Sequence, residues 1–465
     1  MADKTPLFGI GLVSKNAQIT AQARVNLYAE VQPEDDKTRI TFHPTPGTVL
    51  FSNLGLSQVR GLTVVDTVVY ALAGDTFYSV DNNGTVTTIA TITSSNDGQV
   101  SMVWTGTYVV FVDGTSGYTY RPSSSVFAQI TDPDFPTRPN TVTWHDGYTI
   151  VDDSSTSDFA ISDLDDPTSW NALKRASAEA NPDALTRVYA DRGYVILFGT
   201  YTTELWGNIG AVDFPYQRVG GGVIERGLAA KWSLAKFRDG VIGLFQNREG
   251  DVEVGMIING GYLKVSMSDT DTVFNNYGNP ATAQGLTYRH SGHSFYQINF
   301  PTDGKSWIHD ADTKLWSEVR TNSGRHIAAM SDNYLNRVIV ASYVDGKLYR
   351  FDADTFTDDG VLIEREIVSK HIFQNEFFSI SQLWIDMSVG EGLATGQGSA
   401  PTLMLRISRD GGRSYGTELT ASIGSTGQYR QRAIFRRLGR SRNFTFKLRY
   451  TDPTPFSLYG EGWLL

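Results

Sequence analysis

The strongest constraint on the fold is an internal repeat that recurs 42 residues further along the chain. Residues 303–313 read DGKSWIHDADT and residues 345–355 read DGKLYRFDADT. Each copy predicts a turn at Asp-Gly, a short strand with a central aromatic residue, and a second turn at Asp-x-Asp. Asp-Gly is typical of hairpins because these residues tolerate the positive φ angles that tight turns require. Fainter copies lie around Tyr78 and Tyr118.

The strands that precede these turns also recur, and they divide the middle of the chain into units. The candidate units begin near Val59, Gly98, Thr141, Ala184, Leu228, Ala281 and His326. Their spacings run from 39 to 53 residues and cluster near 43. A period of about 40–50 residues with about four strands per unit is typical of β-propeller blades. The repeat therefore predicts a propeller of about seven blades, with six or eight as alternatives; a pair of β-sandwiches with coincidental turns is the competing interpretation.

The composition favours the same all-β class. The 465 residues include 45 Gly, 24 Phe, 22 Tyr and 9 Trp. Aromatic and β-branched side chains fit a pleated, half-buried surface, and glycine supplies turns. Only residues 171–179 are a candidate for a short helix.

The chain divides into three predicted regions. Residues 1–56 are expected to form an N-terminal arm and the first strands, and residues 57–370 the propeller. Residues 371–465 are expected to form a separate C-terminal β domain of sandwich type, with a glycine-rich loop over 387–401.

Charge separates the C-terminal region from the rest. Residues 401–465 contain 11 basic and 4 acidic residues, a net charge of +7. The other 400 residues contain 29 basic and 46 acidic residues, a net charge of −17. This asymmetry predicts either a solvated strand face or a basic docking patch for carboxylates, for example those of a neighbouring copy of the chain. The arginines of this candidate interface are Arg430, Arg432, Arg436, Arg437, Arg440 and Arg442.

Composition also excludes several classes of protein. The absence of cysteine excludes disulfides, thiolate zinc sites and cysteine nucleophiles. A net charge of −10 argues against a simple nucleic-acid coat, which needs cations to displace counterions from phosphate. No apolar run approaches the ~18 residues of a membrane span, and the N-terminus lacks a secretory apolar segment, so we expect a soluble protein that is not exported by that route.

Motifs that could carry chemistry have plainer structural interpretations. Residues 408–415 (SRDGGRSY) fit the Asp-box pattern of sialidases and other propellers, whose aspartate caps backbone N–H groups and indicates fold rather than catalysis. His290 and His293 would point to opposite faces of one continuous strand, whereas a turn between them would set them side by side. No third ligand is evident, so surface turn histidines are favoured over a metal site.

Paired aspartates, such as Asp310 and Asp312, are expected at turns rather than in a Ca²⁺ site. The sequence therefore predicts no catalytic, cofactor-binding or metal-binding residues. A glycoside hydrolase needs only two carboxylates facing a cleft, and none of the 50 acidic residues is singled out as such a pair. A carbohydrate-binding or glycoside-hydrolysing propeller remains the alternative function.

Several short stretches together resemble one protein family. They are 161–170 (ISDLDDPTSW), 176–183 (ASAEANPD), 203–208 (TELWGN), 213–218 (DFPYQR) and 224–227 (IERG), with 26–30 (NLYAE), 45–47 (TPG), 437–442 (RLGRSR) and 451–453 (TDP). In these stretches the chain is similar to the packaged-DNA stabilization proteins, the tail hub or nozzle proteins, of short-tailed bacteriophages. Gly207 and Leu228 depart from the family pattern, where an aromatic or polar residue and a cysteine are expected.

The resemblance implies a non-enzymatic protein of the virion, assembled in the host cytoplasm. It implies a homo-hexameric ring below the portal and adaptor proteins, which extends the DNA channel, helps to retain the packaged genome and acts in its ejection. It also implies that needle, fibre or spike proteins attach below the ring. Genomic DNA would pass through without sequence-specific binding, and neither a cofactor nor a membrane anchor is expected. A ring lined by acidic surface would let DNA slide without sticking.

Overall fold

The computed structural model describes residues 3–9, 23–34, 37–93, 98–154, 156–178 and 183–465. The described chain is almost entirely β-structure. Helical segments are limited to α1 (Ser268–Asn275) and two short 3₁₀ turns at Lys231–Ser233 and Pro280–Thr282.

The N-terminal strands contribute to both halves of the molecule. They are β1 (Asp3–Pro6), β2 (Arg24–Val25), β3 (Leu27–Glu34), β4 (Lys37–Pro44) and β5 (Gly47–Asn53). The first four pair within the large sheet that includes the C-terminal domain, whereas β5 pairs with a propeller strand about 300 residues further along the chain.

The first five units of the propeller are consecutive antiparallel sheets. The first unit contains β6 (Val59–Val65), β7 (Val68–Ala73), β8 (Thr76–Val80) and β9 (Val86–Thr91), and the second contains β10 (Ser101–Trp104), β11 (Val109–Val112), β12 (Gly117–Arg121) and β13 (Val126–Gln129). The third unit contains β14 (Pro139–His145), β15 (Tyr148–Asp153), β16 (Asp158–Asp163) and β17 (Asp166–Ser177), and the fourth contains β18 (Leu185–Asp191), β19 (Tyr194–Gly199), β20 (Thr203–Asn208) and β21 (Tyr216–Ile224). The fifth unit contains β22 (Gly227–Leu228), β23 (Ala235–Phe237), β24 (Gly240–Gln246), β25 (Val252–Ile258) and β26 (Gly261–Lys264).

The remaining two units complete the ring in different ways. They contain β27 (Gln284–His290), β28 (His293–Phe300), β29 (Lys305–Asp310) and β30 (Trp316–Val319), then β31 (Ala328–Tyr334), β32 (Arg337–Ser342), β33 (Lys347–Asp352), β34 (Thr357–Asp358) and β35 (Val361–Leu362). Strand β33 pairs with β5, so the two ends of the propeller sequence meet in one sheet and close the ring. The ring thus has six separate sheets, plus the unit β27–β30, whose sheet continues into the C-terminal domain.

Apolar cores lie between neighbouring units. Phe77 and Phe111, from consecutive units, are both fully buried with ring centroids 5.1 Å apart. Across the closure, Val59 of β6 shares a core with Ile339 of β32. Each unit therefore buries its faces against its neighbours, as expected of blades around an axis.

The C-terminal domain is a β-sandwich built around one long strand. Its strands are β36 (Arg365–Val368), β37 (Ile372–Met387), β38 (Thr402–Ser408), β39 (Leu419–Ser422), β40 (Ala433–Tyr450) and β41 (Leu458–Leu464). The first part of β40 pairs with β37, and its last part pairs with β36 and β38. One strand thus belongs to both layers, with Phe435, Phe444 and Phe446 in the core between them.

The propeller and the sandwich meet at a joint formed by β2, β30 and β36. Strand β2 pairs in parallel with β30 and antiparallel with β36, which makes one continuous sheet. Arg24 is buried there, and its Nη2 donates to the Trp316 carbonyl at 2.8 Å. Asn26 has a φ of 55°, and its Nδ2 donates to the carbonyls of Arg320 and Glu364 at 3.0 and 2.8 Å. The joint is therefore held by side-chain hydrogen bonds to backbone carbonyls.

The predicted all-β class, the propeller and the C-terminal sandwich are confirmed. The observed units begin at Val59, Ser101, Pro139, Leu185, Gly227, Gln284 and Ala328, within three residues of the predicted starts. The two copies of the 42-residue repeat are the third strands of consecutive units, β29 and β33.

The predicted short helix is wrong. Residues 171–177 belong to strand β17, and residue 179 lies outside the described residues. The reason is a register shift: Trp170 pairs with Ser162 and Arg175 with Ala160, so four residues bulge from the sheet opposite one. The bulge hides the alternation by which a strand is recognised in sequence.

Candidate functional site

The six arginines singled out by the sequence lie on or just before the long strand β40. Arg430 and Arg432 precede it, and the other four belong to it. All six side chains are exposed. We call this group, together with Phe373, Phe377 and Trp384 of the adjacent strand β37, the arginine surface.

A bulge in β40 turns consecutive arginines toward solvent. Arg436 pairs with Gln382 and Gly439 with Ile380, so two residues of β40 lie opposite one of β37. Arg437 and Gly439 both have positive φ angles, 60° and 88°, as bulged residues do. The break explains why Arg436 and Arg437 are both exposed although neighbours on a regular strand face opposite sides.

The loop of the Asp box supports this bulge from below. The Arg409 Nη2 donates to the Leu438 carbonyl at 2.8 Å. Gly439 has a φ of 88°, a backbone conformation that is strained for residues with a side chain, so glycine is favoured beside this contact. Leu438 is fully buried, which anchors the bulge in the core of the sandwich.

Exposed aromatic rings lie among the arginines. Residues 374–377 of β37 bulge outward, because Phe373 pairs with Asn443 and Phe378 with Ser441. Phe377 is 54% exposed, and the guanidinium carbons of Arg440 and Arg442 lie 5.7 and 4.7 Å from its ring centroid. Phe373 is 59% exposed.

A second pair forms further along the strand. The guanidinium carbon of Arg432 lies 5.0 Å from the ring centroid of Trp384, whose Nε1 donates to the Gln382 side chain at 2.9 Å. Arg436 shares the outer face of this part of the sheet, because it lies directly opposite Gln382. The structure therefore brings the predicted arginines together on or just before β40, beside aromatic residues of the neighbouring strand β37.

Among the described residues, the six arginines have no acidic partner, unlike Arg406, Lys447 and Arg449 of the same domain. Arg406 and Arg449 pair with Glu418 at 3.1 and 3.2 Å, and Lys447 pairs with Glu366 at 2.9 Å. Within the described residues, none of the six has a carboxylate oxygen within 4.0 Å. The surface therefore keeps its positive charge available for a partner.

Arginine and aromatic side chains are enriched where proteins bind proteins, because they combine apolar contact area with directed hydrogen bonds. Two guanidinium groups held against one ring are also ordered before binding, which lowers the entropic cost of association. Such a surface is chemically suited to an acidic protein partner. Sequence reasoning found its arginines but missed Phe373 and Phe377, whose exposure follows from a register shift that leaves no sequence signal.

The propeller offers a second candidate position, a cavity of about 270 Å³ on its axis. Among the described residues that line it, Asp332 is the only carboxylate, while Arg60, Arg187 and Lys236 are basic. Arg60 pairs with Asp75 at 3.2 Å, and Lys236 pairs with Asp191. The cavity thus lacks the two facing carboxylates that glycoside hydrolysis requires.

The remaining predicted motifs have structural roles. Asp410 of the Asp box accepts hydrogen bonds from the Ser408 hydroxyl at 2.6 Å and from the backbone N–H of Ser414 at 2.9 Å. These bonds hold the pKa of Asp410 below its ordinary value. Asp183, in the densest family-like stretch, accepts from the N–H groups of Tyr201 and Thr202 at 2.7 and 2.9 Å. Both aspartates fix turns.

Two family profiles match the chain in succession. Residues 4–356 match the family described as bacteriophage P22 Gp10, β-propeller. Residues 364–461 match the family described as bacteriophage P22 Gp10, β-sandwich. Together the two matches cover both structural units in chain order. Among curated proteins, a search gives no match.

Solved structures resemble the fold at low identity. Virginiamycin B lyase from Staphylococcus aureus is 10% identical, with a TM-score of 0.45, over 64% of this chain and 97% of that one. The extracellular domain of a putative hybrid two-component system from B. thetaiotaomicron is 11% identical, with a TM-score of 0.46, over 74% and 45%. The Pan2 WD40 domain of Neurospora crassa is 10% identical, with a TM-score of 0.42, over 63% and 89%. Similarity at this level carries no inference about function.

Among the described residues, no helix has the length and apolar character needed to cross a membrane.

Proposed function

Because this chain belongs to the family of the bacteriophage P22 Gp10 β-propeller and β-sandwich, structural proteins of phages involved in stabilising packaged DNA, we propose that it forms the tail hub, or nozzle, of a short-tailed phage. In this proposal several copies form a ring below the portal and adaptor proteins. The ring extends the DNA channel, retains the packaged genome until ejection and anchors needle, fibre or spike proteins. The chain itself catalyses no reaction.

The observation that carries this proposal is the match of both domains, in order, to the two family profiles over residues 4–356 and 364–461. The size of the axial cavity supports a ring of several chains. At about 270 Å³ it is smaller than a small-molecule pocket, and duplex DNA, whose major groove alone is about 12 Å wide, cannot pass through it. In this proposal, the channel for DNA lies between chains and not along the axis of one propeller.

The charge distribution supports lateral contacts between copies, with six chains in the ring as the proposed number. Among the residues that the structure describes, the six arginines have no acidic partner, while residues 1–400 carry a net charge of −17. A positive patch that meets an acidic neighbour fixes orientation and accelerates association. We propose that the arginine surface contacts the propeller of the adjacent copy or the acidic face of the adaptor.

The same charge balance leads us to propose an acidic channel lining. DNA would pass along it without sequence-specific binding, because phosphates are repelled by carboxylates. An arginine-lined channel in an assembled ring would contradict this part of the proposal and would indicate that the ring grips the DNA.

Electron microscopy of the purified chain, alone and mixed with tail-less particles of the same phage, tests the proposal. We expect six-fold rings with an open channel, or added density below the portal vertex. A ring that forms only with particles would identify the adaptor as the template for assembly.

Compact monomers that never bind such particles would contradict the hub proposal. A glycan-binding screen of the same preparation then separates the alternative, since a carbohydrate-binding or hydrolysing propeller acts as an isolated chain and needs no ring. Retention of DNA in particles lacking the chain, measured by nuclease access, gives a second readout of the stabilising role.

A further inference from the structure

Two neighbouring blades, β14–β17 and β18–β21, carry exposed apolar side chains at the same end. In a four-stranded antiparallel blade, the turn between the first two strands and the turn between the last two lie at one end of the sheet. Leu164 lies in the turn between β16 and β17, and Ile209 and Val212 lie in the loop between β20 and β21. Their exposed fractions are 60%, 60% and 95%. Exposed apolar residues that cluster, unlike those that occur singly, indicate a binding surface.

These two loops are joined through the turn between β14 and β15. The Asn208 Nδ2 donates to an Asp146 oxygen at 3.1 Å, and the Asp165 N–H donates to the Gly147 carbonyl at 2.8 Å. The Leu164 side chain packs over Gly147, where an added Cβ would lie 2.7 Å from the leucine Cδ1. The loops of both blades therefore form one continuous surface.

The longer loop is held in one shape by contacts beneath it. The Ile209 N–H donates to the Pro215 carbonyl at 2.7 Å, which closes the loop at its base. The Phe214 ring centroid lies 6.2 Å from that of Tyr216, whose hydroxyl donates to the His145 carbonyl at 2.9 Å. Val212 thus projects from an ordered support, which lowers the entropic cost of binding a partner.

Three exposed carboxylates, those of Asp146, Asp165 and Asp213, lie among the apolar side chains. Within the described ranges, none of the three has a lysine or arginine nitrogen within 4.0 Å. The His145 Nδ1 lies 3.4 Å from an Asp146 oxygen, but burial lowers the pKa of His145, so its ring is neutral at neutral pH. Other acidic side chains at the propeller surface have cationic partners: Asp163 pairs with Lys174, Glu225 with Arg248 and Asp239 with Arg192.

We propose that this surface binds the arginine surface of a second copy of the chain. We call it the blade-loop patch, and it consists of Asp146, Leu164, Asp165, Ile209, Val212 and Asp213. Both surfaces combine exposed apolar groups with charges that lack a partner, and the charges have opposite signs. Carboxylates accept paired hydrogen bonds from guanidinium groups, while the apolar side chains of the patch cover Phe373 and Phe377.

The inference rests on the proposed function, because it assigns the lateral contact of the ring. The two surfaces lie on different domains, so each copy offers the patch to one neighbour and the arginine surface to the other. Such a contact between unlike surfaces repeats head to tail and closes into a ring, whereas a contact between two like surfaces stops at a dimer. Complementary charge fixes the orientation of successive copies.

Cross-linking between single cysteines tests the contact, because the chain contains no cysteine of its own. A Val212→Cys chain is mixed with an Arg442→Cys chain and treated with a short bismaleimide, alone and on tail-less particles. We expect a cross-linked pair whose yield exceeds that of the control by at least about ten-fold, since contact raises the effective concentration of the thiols. The control pair is Leu335→Cys with Arg442→Cys, because Leu335 is also an exposed turn residue of a blade but is followed by Asn336 and Arg337.

Exchange of the charges gives a second test. Asp165→Lys/Asp213→Lys should weaken binding between copies at least about ten-fold, because like charges then face each other. Adding Arg440→Glu/Arg442→Glu to the same chain should restore binding to within about three-fold, since opposite charges meet again across the contact. Asp66→Lys/Glu249→Lys makes the same change of net charge at exposed residues outside the patch and should bind as the unsubstituted chain does.

The outcomes separate this contact from the hub function. Rings without the cross-link between positions 212 and 442, or equal effects of the two lysine variants, would overturn the contact and leave the hub function intact. Intact rings of Asp165→Lys/Asp213→Lys that no longer attach to particles would also overturn it and would make the adaptor the partner of the patch. Cross-linked copies that never form rings would support the contact and contradict the hub function, and absence of any binding between copies would overturn both.

Discussion

The joint and the arginine surface are both rich in arginine, but their guanidinium groups have opposite surroundings. At the joint, Arg24 and Arg365 are 5% and 1% exposed and donate to backbone carbonyls. Burial lowers the pKa of each to about 10, so both remain protonated at neutral pH. On the arginine surface, Arg440 and Arg442 are exposed and contact an exposed aromatic ring.

This difference separates two uses of one residue type. A buried arginine that satisfies carbonyls joins two structural units, and its removal leaves acceptors without donors. An exposed arginine without an acidic partner adds little to stability and is available for binding. Residues 401–465 carry a net charge of +7, but Arg406, Lys447 and Arg449 in this region are paired with glutamates. The net charge therefore indicates a binding surface only after these paired residues are set aside.

The largest expected effect is at the joint. Arg24→Ala removes the donors to the Trp316 carbonyl, to the Gly9 carbonyl at 3.2 Å and to the Ser317 hydroxyl at 3.3 Å. We expect the free energy of unfolding to fall by about 3 kcal/mol or more, because charged hydrogen bonds are lost and buried acceptors are left unsatisfied. Urea unfolding followed by circular dichroism measures the change.

Arg436→Ala is the matched control for that measurement. The side chain is exposed and has no acidic partner in the part of the chain that the structure describes, so its truncation should change stability by less than about 0.5 kcal/mol. Equal losses of unfolding free energy in Arg24→Ala and Arg436→Ala would contradict the difference between the joint and the arginine surface.

A smaller effect is expected at Asn26, where backbone and side chain act together. Asn26→Ala removes the two bonds to carbonyls and the acceptor for the Arg320 N–H at 2.8 Å, and it places alanine at a φ of 55°. We expect a loss of about 2–3 kcal/mol. Asn26→Gly removes the same bonds without the strain, so it should be about 1 kcal/mol less costly than Asn26→Ala. If the two variants are equally unstable, the left-handed backbone carries no cost at this position.

The arginine surface should respond in binding rather than in stability. We expect Arg440→Ser/Arg442→Ser to weaken ring formation or attachment to tail-less particles at least about ten-fold, since clustered arginine and aromatic residues dominate interface energies. The melting temperature should stay nearly unchanged. Arg406→Ser is the control, because Arg406 is exposed in the same domain but pairs with Glu418.

Salt sharpens this prediction. Raising the ionic strength should weaken attachment of the unsubstituted chain more than that of the double variant, because exposed charges are screened. Normal attachment of Arg440→Ser/Arg442→Ser, with loss of attachment in Arg406→Ser, would move the interface to another part of the domain.

Local patterns explain which features could be predicted from the sequence. Asp-Gly turns and alternating strands recur within each blade, so unit starts such as Val59 and Leu185 were located to within a few residues. Pairings between distant segments leave no such pattern. The closure of the last blade by β5, and the two-residue strand β2 that joins the propeller to the sandwich, depend on contacts between residues about 300 positions apart.

Single residues of the arginine surface also depend on contacts that the sequence pattern does not reveal. Charge counting located its six arginines, but their availability depends on which acidic residues the fold brings near Arg406, Lys447 and Arg449. The exposure of Phe373 and Phe377 depends on a register shift between β37 and β40, which alternation of apolar residues does not reveal.

The smallest expected effect is a pH dependence that belongs to the propeller next to the joint and not to the arginine surface. His326 is buried, its Nδ1 accepts the Ala328 N–H at 3.2 Å, and burial lowers its pKa despite Asp358 nearby. A depressed pKa in the folded state means that the unfolded chain binds the proton more readily. Stability from this group is therefore complete above the ordinary pKa of about 6.5 and declines as the pH falls below it. Melting temperatures measured between pH 7.5 and pH 5 should decline less steeply for His326→Gln than for the unsubstituted chain. The control variant Arg440→Ser/Arg442→Ser should follow the curve of the unsubstituted chain, because guanidinium groups do not titrate in this range. A steeper decline in His326→Gln would mean that the protonated imidazole stabilises the fold through Asp358.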